Sequence, residues 1–575
     1  MIHRIVKFRL ARVLGGAALF VLPGVAVGQV IERHPAPALP PPPPQITAPV
    51  EADQNADATS LGITLKSLRV DSGSAEVLRI DDASKVASSA VPGMTAHLRR
   101  FIGQDLSRKL IAEIRTEIVR RYRAAGHPFV HVSAPEQDLS AGALTLRVQE
   151  FTVGKIGVND SEASDARHIV ADIRLRSGQT IGSDVLAQDL DWLNRYPFRR
   201  VDAVFSPGST PGATDVTYNA ARSKPWSLGG GYANSGSPDT GLNRFDISVL
   251  AALPIVPDAL ASYQLTTSGQ GIVGLDNPPS GSKRYVSHAG RIVIPTGARQ
   301  ALELTFDDIQ TAQPVEVFDN RQHTREWGLT YRFALSALGA RLPGEIHLGL
   351  DWKTQASALE FDGVAVRSSE FHVGQIDLGY SWHSFDSHGS TTLDLTVHAS
   401  PSGLDSLDKA SAYATASQGT SQTARYAYVT GLVSRKTQFS GFNLGQSLTW
   451  QYSGVRLPQT ELFGLGGPGQ VRAYTLDDGA FDRGVVLRNE LRLDAVSWSS
   501  GRRDSIAQPY LYGDAGYAGR PGIVASHVIG AIGAGIDLQL FRRLVIAADG
   551  GLAIADQGNT KSGAGRANVS VNLTF

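Results

Sequence analysis

From about residue 225 to the end of the chain, apolar side chains alternate with polar or small ones. This period of two puts the apolar residues of a strand on one face, whereas a helix repeats about every 3.6 residues. About sixteen candidate strands of roughly ten residues follow one another, which is the pattern of an outer-membrane β-barrel. The clearest strands carry apolar residues at Trp327, Leu329, Tyr331, Phe333 and Leu335; at Ile346, Leu348, Leu350 and Trp352; at Leu393, Leu395 and Val397; at Val528, Ile532, Ile536 and Leu538; and at Val569, Val571, Leu573 and Phe575.

A sheet that meets hydrocarbon must close on itself, because every backbone polar group in a membrane has to be paired. Its polar face then lines a lumen. Beyond the N-terminus no apolar run reaches about 18 residues, so helices are not expected to hold the chain in a membrane. A soluble β-sandwich or propeller is the competing fold, but the long strands, the charged polar faces and the last strand ending on Phe575 favour the barrel. Aromatic residues near strand ends fit interfacial girdles: Trp226, Tyr232, Trp352, Tyr380, Trp382 and Trp450.

The charge balance and the cysteine count exclude several functional classes. Lys+Arg and Asp+Glu both number 54, so the formal net charge is zero and nucleic acid is not an expected partner. The chain has no cysteine, which excludes disulfides, thiolate catalysis and cysteine-ligated metals. The length of 575 residues predicts more than one domain.

Residues 1–28 have the pattern of a secretory signal peptide. An apolar core from Val13 to Leu22 follows a basic region, and the small residues before Gln29 suit cleavage. Residues 29–60 are predicted to form a linker, because a proline-rich run enforces an extended conformation. The basic residues are Arg4, Lys7, Arg9 and Arg12, and the prolines are Pro35, Pro37 and Pro40 to Pro44.

Two small α+β modules are predicted between the linker and a barrel at 223–575. The first, at 61–150, has a strand, a helix with one apolar face that Gly126 ends, and two further strands. The second, at 151–222, repeats this order, with Ser183 as the cap of its helix. Small modules placed after a signal peptide are more often docking domains than enzymes. The helix of the first module carries Leu106, Leu110, Ile114, Ile118 and Tyr122, and that of the second carries Leu186, Leu190 and Leu193.

One connection in the barrel region is unusually long. It runs from about Gly454 to Gly484, roughly thirty residues, whereas hairpin connections usually have about two to five. The loop holds several apolar residues and a single cation in the run Val471-Arg472-Ala473-Tyr474. A buried Arg472 would need a partner, because an unpaired buried charge costs several kcal/mol. The sequence therefore predicts a packed loop with a functional or structural role.

These features together resemble the two-partner secretion transporters, the TpsB family of the filamentous haemagglutinin and haemolysin transporters. The likeness covers nearly all of the mature chain, as two polypeptide-transport-associated (POTRA) domains and a sixteen-stranded barrel. Matching motifs are Tyr122-Arg123-Ala124-Ala125-Gly126-His127 and Pro135-Glu136-Gln137-Asp138-Leu139-Ser140-Ala141-Gly142 in the first module, Asn234-Ser235-Gly236 with Thr240-Gly241 at the barrel start, the loop motif Val471-Arg472-Ala473-Tyr474, and the strand motif Tyr512-Gly513-Asp514-Ala515-Gly516.

The resemblance implies that the long loop folds back into the lumen and that Arg472 meets Asp514 there. A bidentate guanidinium–carboxylate pair would fix the loop tip in register. There are two departures from the family. Ala473 replaces a glycine, so either the tip needs no positive φ or it is mildly strained. Only residues 29–34 precede the first linker proline, about one and a half helical turns, so a full-length plug helix in the pore is predicted to be missing.

The resemblance further implies an outer-membrane transporter that exports a large exoprotein, an adhesin, haemolysin or contact-dependent toxin. The POTRA modules would lie in the periplasm and bind the unfolded partner by adding a strand to a sheet edge. Outer-membrane lipid, periplasmic chaperones and the barrel-assembly machinery are further expected partners. Two alternatives stay open: an outer-membrane protein assembly factor of the same superfamily, which usually carries more POTRA modules, and a passive porin, which needs none.

An enzyme is not expected, and neither is a cofactor. The glycine-rich run 464–469 lacks the Lys-Ser/Thr of a phosphate loop and precedes no helix. The histidine pairs His127/His131 and His383/His388 are interpreted as polar loop residues, so no metal site is predicted. No catalytic arrangement can be argued from spacing.

Overall fold

The structure of the protein is a computed structural model. It describes residues 31–33, 57–72, 77–81, 91, 93–159, 163–269, 281–338, 343–386, 388–500, 503–541 and 543–575. The predicted signal peptide at 1–28 and most of the predicted linker at 29–60 lie outside these residues. Within the described ranges, no helix is long and apolar enough to cross a membrane.

The first module is a four-stranded sheet with two helices packed on it. The sheet order is β2-β1-β4-β3, with β1 parallel to β4. Its core joins strand residues such as Leu68 and Leu146 to the helix residues Ile114 and Ile118. The elements are β1 (Ser67–Asp71), β2 (Val77–Asp81), α1 (Met94–Arg99), α2 (Arg108–Ala124), β3 (Val130–Ser133) and β4 (Ala143–Glu150).

The predicted helix end at Gly126 is confirmed. Gly126 has φ 93°, and the amides of Gly126 and His127 donate to the carbonyls of Arg123 and Tyr122. These two bonds form a Schellman motif, which needs a residue at positive φ. The predicted element order was incomplete, because β2 and α1 also lie between the first strand and α2. Elements of five and six residues are too short to show a clear period.

The second module has a three-stranded sheet of order β5-β7-β6. The predicted order missed α3, whose sequence ASDARHIVAD has too few apolar residues to form a stripe. The prediction of Ser183 as a cap was wrong: Gly182 is the N-cap, with no side-chain bond, and Ser183 is the first helical residue. The elements are β5 (Thr152–Asn159), α3 (Ala163–Asp172), α4 (Ser183–Leu193), β6 (Arg199–Pro207) and β7 (Ala213–Arg222).

The remaining strands form a closed antiparallel barrel, in which the last strand pairs with the first. The strands are β8 (Trp226–Ala233), β9 (Arg244–Ala252), β10 (Leu260–Thr267), β11 (Arg284–Gly297), β12 (Gln300–Val315), β13 (Phe318–Ala334), β14 (Glu345–Phe361), β15 (Val364–Asp386), β16 (Gly389–Ser400), β17 (Tyr426–Gln438), β18 (Phe442–Ser453), β21 (Arg483–Leu493), β22 (Val496–Ser500), β23 (Arg503–Gly519), β24 (Ser526–Leu540), β25 (Leu544–Ala553) and β26 (Gly565–Thr574).

The barrel has sixteen strand positions within the described residues, because β21 and β22 both pair with β23 and act as one interrupted strand. This confirms the predicted fold class. The predicted alternation is also present: Trp327 and Leu329 are exposed on the outer face, while Glu326, which directly precedes Trp327, faces the lumen. The longer connections between strands contain α5 (Ala410–Ala416), β19 (Phe463–Gly464) and β20 (Ala480–Phe481).

Candidate functional site in the barrel lumen

The connection between β18 and β21, residues 454–482, folds into the barrel and packs against its inner wall. The strands β19 and β20 pair with each other and give the loop a hairpin base. Beyond the hairpin, the apolar loop residues are buried against the inward faces of β21, β23 and β24. Burial of these side chains makes the loop a part of the barrel interior. The cluster includes Phe463, Leu465, Val471, Tyr474 and Phe481 of the loop and Val486, Tyr510, Tyr512 and Ile529 of the wall.

Arg472 ties the loop tip to the barrel wall. Its side chain is 2% exposed, and its Nε and Nη2 each donate to one carboxylate oxygen of Asp514 at 2.8 Å. The backbone amide of Arg472 donates to the same carboxylate, and Nη1 donates to Glu490 at 2.7 Å. The guanidinium also lies 3.7 Å from the ring centre of Tyr512. A bidentate pair with a stacked aromatic ring fixes both position and orientation of the cation.

Ala473 is held in a left-handed conformation with φ 80°. The amide of Tyr474 donates to the carbonyl of Arg472 at 3.1 Å, which closes a three-residue γ-turn. The sequence left open whether the loop tip needs a positive φ, and in the structure Ala473 adopts one. An alanine in this region costs about 1–3 kcal/mol, and the surrounding packing has to maintain it.

The strand motif on β23 provides the surface that receives this turn. Tyr512, Asp514 and Gly516 all face the lumen, in register along one strand. A Cβ at Gly516 would lie 2.8 Å from Leu465 and 2.9 Å from Val471. Glycine is therefore required for the close approach of the loop.

The family comparisons agree with this arrangement. The profile of the haemolysin secretion/activation protein family ShlB/FhaC/HecB matches residues 212–540, which is more than half of the chain. The chain belongs to this family. The profile of the ShlB-type POTRA domain matches residues 88–150. The resemblance that the sequence motifs indicated is thereby confirmed, and the barrel lies in the outer membrane with the POTRA modules in the periplasm.

Two curated relatives are outer-membrane transporters. The chain is 26% identical over 152 residues to the outer membrane transporter CdiB-2 of Burkholderia pseudomallei (strain 1026b), which is 26% of each chain. It is 28% identical over 155 residues to the outer membrane transporter CdiB of Dickeya dadantii (strain 3937), which is 27% of each chain. The aligned segments span about a quarter of the length of these relatives.

Solved structures share the fold. CdiB from Escherichia coli superposes with a TM-score of 0.59 at 18% identity, covering 93% of this chain and 94% of that one. CdiB from Acinetobacter baumannii superposes with a TM-score of 0.54 at 15% identity, covering 93% of this chain and 94% of that one. At these identities the likeness shows a common architecture of POTRA modules and barrel.

In this member of the ShlB/FhaC/HecB family, a second buried ion pair holds the start of the loop. Both carboxylate oxygens of Glu461 lie 2.9 Å from Nζ of Lys353 on β14. The hydroxyl of Tyr428 donates to the same carboxylate at 2.5 Å. Sequence reasoning missed Glu461 and Glu490. The alternation Arg488, Glu490, Arg492 on one strand face was a usable signal for the latter.

Residues 31–33 also lie inside the lumen of this family member. Arg33 donates to both carboxylate oxygens of Glu326 and to the carbonyl of Thr460 in the loop. Glu32 accepts from Arg244 at 2.8 and 2.6 Å, and its carbonyl accepts from the hydroxyl of Tyr285. These three residues are not helical. The prediction that a plug helix is missing otherwise concerns residues outside the described ranges and stays a prediction.

The predicted barrel-start motif surrounds Arg244. The Nη1 group of Arg244 donates to the carbonyl of Gly241, and its Nη2 group donates to Thr240. A Cβ at Gly236 would lie 2.5 Å from the guanidinium. The motif therefore forms a socket for the cation that binds Glu32.

Ion pairs also fix the second POTRA module to the periplasmic turns of the barrel. Arg299, at the turn between β11 and β12, donates to Asp189 on α4 and to the carbonyl of Asp172 on α3. Burial raises the pKa of Asp172, although hydrogen bonding and charge from Arg299 oppose the rise. Arg195, which follows the C-cap of α4, pairs with Glu345, and Arg199 pairs with Asp258 at 2.5 Å.

Four histidines were interpreted as polar loop residues, and for two of them this was wrong, because His131 lies on β3 and His383 on β15. His127 lies 2.9 Å from Glu150 and edge-on to Tyr122. His383 lies 3.7 Å from Asp191 and packs on Phe385. Among the described residues, no group of three or more His, Asp or Glu side chains is arranged to hold a metal ion.

Proposed function

We propose that this chain exports one large partner exoprotein, an adhesin, haemolysin or contact-dependent toxin, from the periplasm to the cell surface. The observation that carries the proposal is the occupied lumen. Buried ion pairs hold the loop to the wall at Arg472 and Glu461, and residues 31–33 bind both the wall and the loop. A diffusion pore gains nothing from such contacts, whereas a pore for a single polypeptide must stay closed until its substrate arrives.

The transport path begins, in this proposal, at the POTRA sheets. The outer strands of the first sheet are β2 and β3, and those of the second are β5 and β6. An unfolded segment of the exoprotein would pair with one of these edges by β-augmentation. Val204 on β6 is 49% exposed and offers an apolar contact beside such an edge. A photo-crosslinker at Val204 tests this step, because it should capture the exoprotein during export.

The role of the site residues follows from their contacts. Val471, Arg472, Ala473 and Tyr474 form the closed tip of the loop, and Tyr512, Asp514 and Gly516 form its receptor on the wall. Opening requires the Arg472–Asp514 pair to separate or to move with the loop. Separation of a buried pair costs about 3–5 kcal/mol, less where water enters the lumen. Binding of the exoprotein in the lumen would have to supply this free energy.

The proposed organisation is a signal peptide at 1–28, a linker at 29–60, POTRA domains at 61–150 and 151–222, and a barrel at 223–575. Periplasmic chaperones and the barrel-assembly machinery would deliver the chain to the outer membrane, where lipid surrounds it. We assign it no catalytic activity and no nucleic-acid partner. Transport needs no cofactor if folding of the exoprotein outside prevents its return.

The deciding experiment deletes this protein in its own cells and compares the secreted proteins. Loss of one very large exoprotein supports the proposal and names the substrate. An unchanged secretome with a disturbed set of outer-membrane barrels would instead favour an assembly factor. An Arg472→Ala variant with normal barrel levels should export less, and normal export would remove the loop from the mechanism.

A further inference from the structure

An apolar groove crosses the outer face of strands β10 to β15. Its volume is about 840 Å³. The groove faces away from the lumen, because the large apolar side chains that line it belong to the exposed positions of the alternation. It therefore opens into the membrane and not into the transport path. Apolar side chains in its lining are Ile292, Leu304, Phe306, Trp327, Leu329, Leu350, Trp352, Ile376 and Leu404.

The strand register orders the outer face into rows. One row crosses the groove as Gly290, Phe306, Trp327, Trp352 and Gly374, each directly opposite the next. The row on the periplasmic side is wholly aliphatic. The row on the extracellular side, about 7 Å further along the strands, is polar. The aliphatic row is Ile292, Leu304, Leu329, Leu350 and Ile376, and the polar row is His288, Asp308, Arg325, Thr354 and His372.

Two glycines in the aromatic row make room for the groove. At Gly290 the nearest atom to an added Cβ is a ring carbon of Phe306 at 3.1 Å. At Gly374 an added Cβ would lie 2.2 Å from Leu404, which belongs to the extracellular connection between β16 and β17. This connection is held down on the outer wall, because Asp405 lies 2.5 Å from His372. Leu404 thus forms one end of the groove.

A cation stands at the extracellular rim of the groove. Arg325 lies two residues before Trp327 on the same outer face of β13, and 57% of its side chain is exposed. Its Nε donates to Asp308 at 3.0 Å, which orients the guanidinium along the wall. A guanidinium offers two amino groups in a fork that matches a phosphate. An apolar slot below an oriented arginine is complementary to a phosphorylated lipid.

We propose that this groove is a binding site for lipid A, the phosphorylated glycolipid of the outer leaflet. One acyl chain lies along the aliphatic row under Leu404, and a lipid A phosphate meets Arg325. We assign the groove to the outer leaflet, because the polar row marks the extracellular border of the hydrocarbon. The site requires only that the barrel lies in the outer membrane, and it stands independently of the export proposal.

The test uses the full chain purified from outer membranes in mild detergent, with native mass spectrometry to count retained lipopolysaccharide. Gly290→Leu fills the groove, and Arg325→Glu reverses the charge at its rim. Each has a matched control elsewhere: Gly550→Leu on the outer face of β25, where an added Cβ meets only a backbone oxygen at 3.9 Å, and Lys561→Glu in an exposed loop. Heat-modifiable gel mobility verifies that every variant is a folded barrel.

We expect the wild-type barrel to retain lipopolysaccharide and both controls to match it. In Gly290→Leu, the new side chain should exclude about two methylenes of the acyl chain from the groove. This should lower the fraction of barrels that retain lipopolysaccharide about tenfold. Arg325→Glu should lower it as well, and added phosphatidylglycerol should not displace the lipid from the wild type. A wild type without lipopolysaccharide, equal retention in Gly290→Leu and Gly550→Leu, or displacement by phosphatidylglycerol would overturn the proposal.

Discussion

The guanidinium of Arg299, at a periplasmic turn of the barrel, lies 2.5 Å from the carboxylate of Asp189 in the second POTRA module. The Asp189 side chain has no exposed surface, and Arg174 of the same module also binds it. The barrel and the second POTRA module thus each provide an arginine that binds the same buried carboxylate. Together with the Arg195–Glu345 and Arg199–Asp258 pairs, this contact fixes the module to the periplasmic end of the barrel.

Arg299→Ala should loosen the second POTRA module. The substitution leaves the buried carboxylate of Asp189 with Arg174 as its one cationic partner and the amides of Arg174 and Leu175 as further donors, at a cost of about 3 kcal/mol. Amide hydrogen exchange in α4 should then become roughly 100-fold faster. Arg200→Ala is the control, because its pair with Asp202 is exposed on both sides. Equal exchange in the two variants would show that the contact does not hold the module.

Arg472→Ala and Asp514→Ala should release the lumen loop to a similar extent. Each leaves a buried partner charge uncompensated, which costs about 3–5 kcal/mol, less if water enters. The double variant should be only slightly worse than either single one, because the two groups act as a unit. Single-channel conductance in planar bilayers measures the release, with Lys561→Ala as the exposed control. Additive effects of the two substitutions would contradict the pairing.

Ala473→Gly should stabilise the closed loop. Glycine takes φ 80° without the steric cost that alanine has there, so we expect a gain of about 1 kcal/mol. A higher urea midpoint for unfolding of the barrel, or fewer openings in the bilayer, would show the gain. Ala473→Val should do the reverse. Gly469→Ala is the control, because an added Cβ there meets no atom within 4 Å. A neutral Ala473→Val would mean that the turn is not strained.

Arg33→Ala should open the lumen without unfolding the barrel. Arg33 joins Glu326 of the wall to the carbonyl of Thr460 in the loop, so its loss removes the bridge between residues 31–33 and the loop. We expect higher conductance with an unchanged urea midpoint. Arg325→Ala is the neighbouring control, since that arginine lies on the outer face of the same strand as Glu326. Conductance equal to wild type would exclude residues 31–33 from closure.

Glu117 should make the stability of the first POTRA module sensitive to acid. Burial would raise the pKa of this carboxyl, but the hydrogen bond from Arg121 and the charges of Arg120 and Arg100 hold it below its usual value. A carboxyl with a lowered folded-state pKa stabilises the fold above the unfolded pKa of about 4.3, and the contribution disappears as the pH falls through the folded value. Glu117→Gln should remove this pH-dependent contribution to stability.

Hydrogen exchange in α2 at pH 7 and pH 2.5, corrected for the intrinsic exchange rates, measures the contribution of Glu117 to stability. Wild type should lose protection between the two values, and Glu117→Gln should start lower and change less. Glu136→Gln is a control in an exposed connection of the same module. An equal acid response in wild type and Glu117→Gln would contradict the assignment.

Local patterns in the sequence predicted the parts of this protein that depend on neighbouring residues. The period-two alternation identified the barrel, and Gly126 marked the end of α2, because side-chain direction and backbone turn are set within a few residues. Short elements such as β2, α1 and α3 escaped prediction. The Arg472–Asp514 contact was expected from motif resemblance, and the structure places the two groups 2.8 Å apart.

The sequence by itself therefore determined a closed barrel with two small periplasmic modules and the presence of a long loop with one cation at its tip. Only the tertiary structure decided which charges meet. Arg33 and Glu326 are 293 residues apart, Lys353 and Glu461 are 108 apart, and Asp189 and Arg299 are 110 apart. No local pattern encodes such pairs. Closure of the barrel brings opposite walls, loop and N-terminal residues within a few ångströms, and burial there requires each charge to find a partner.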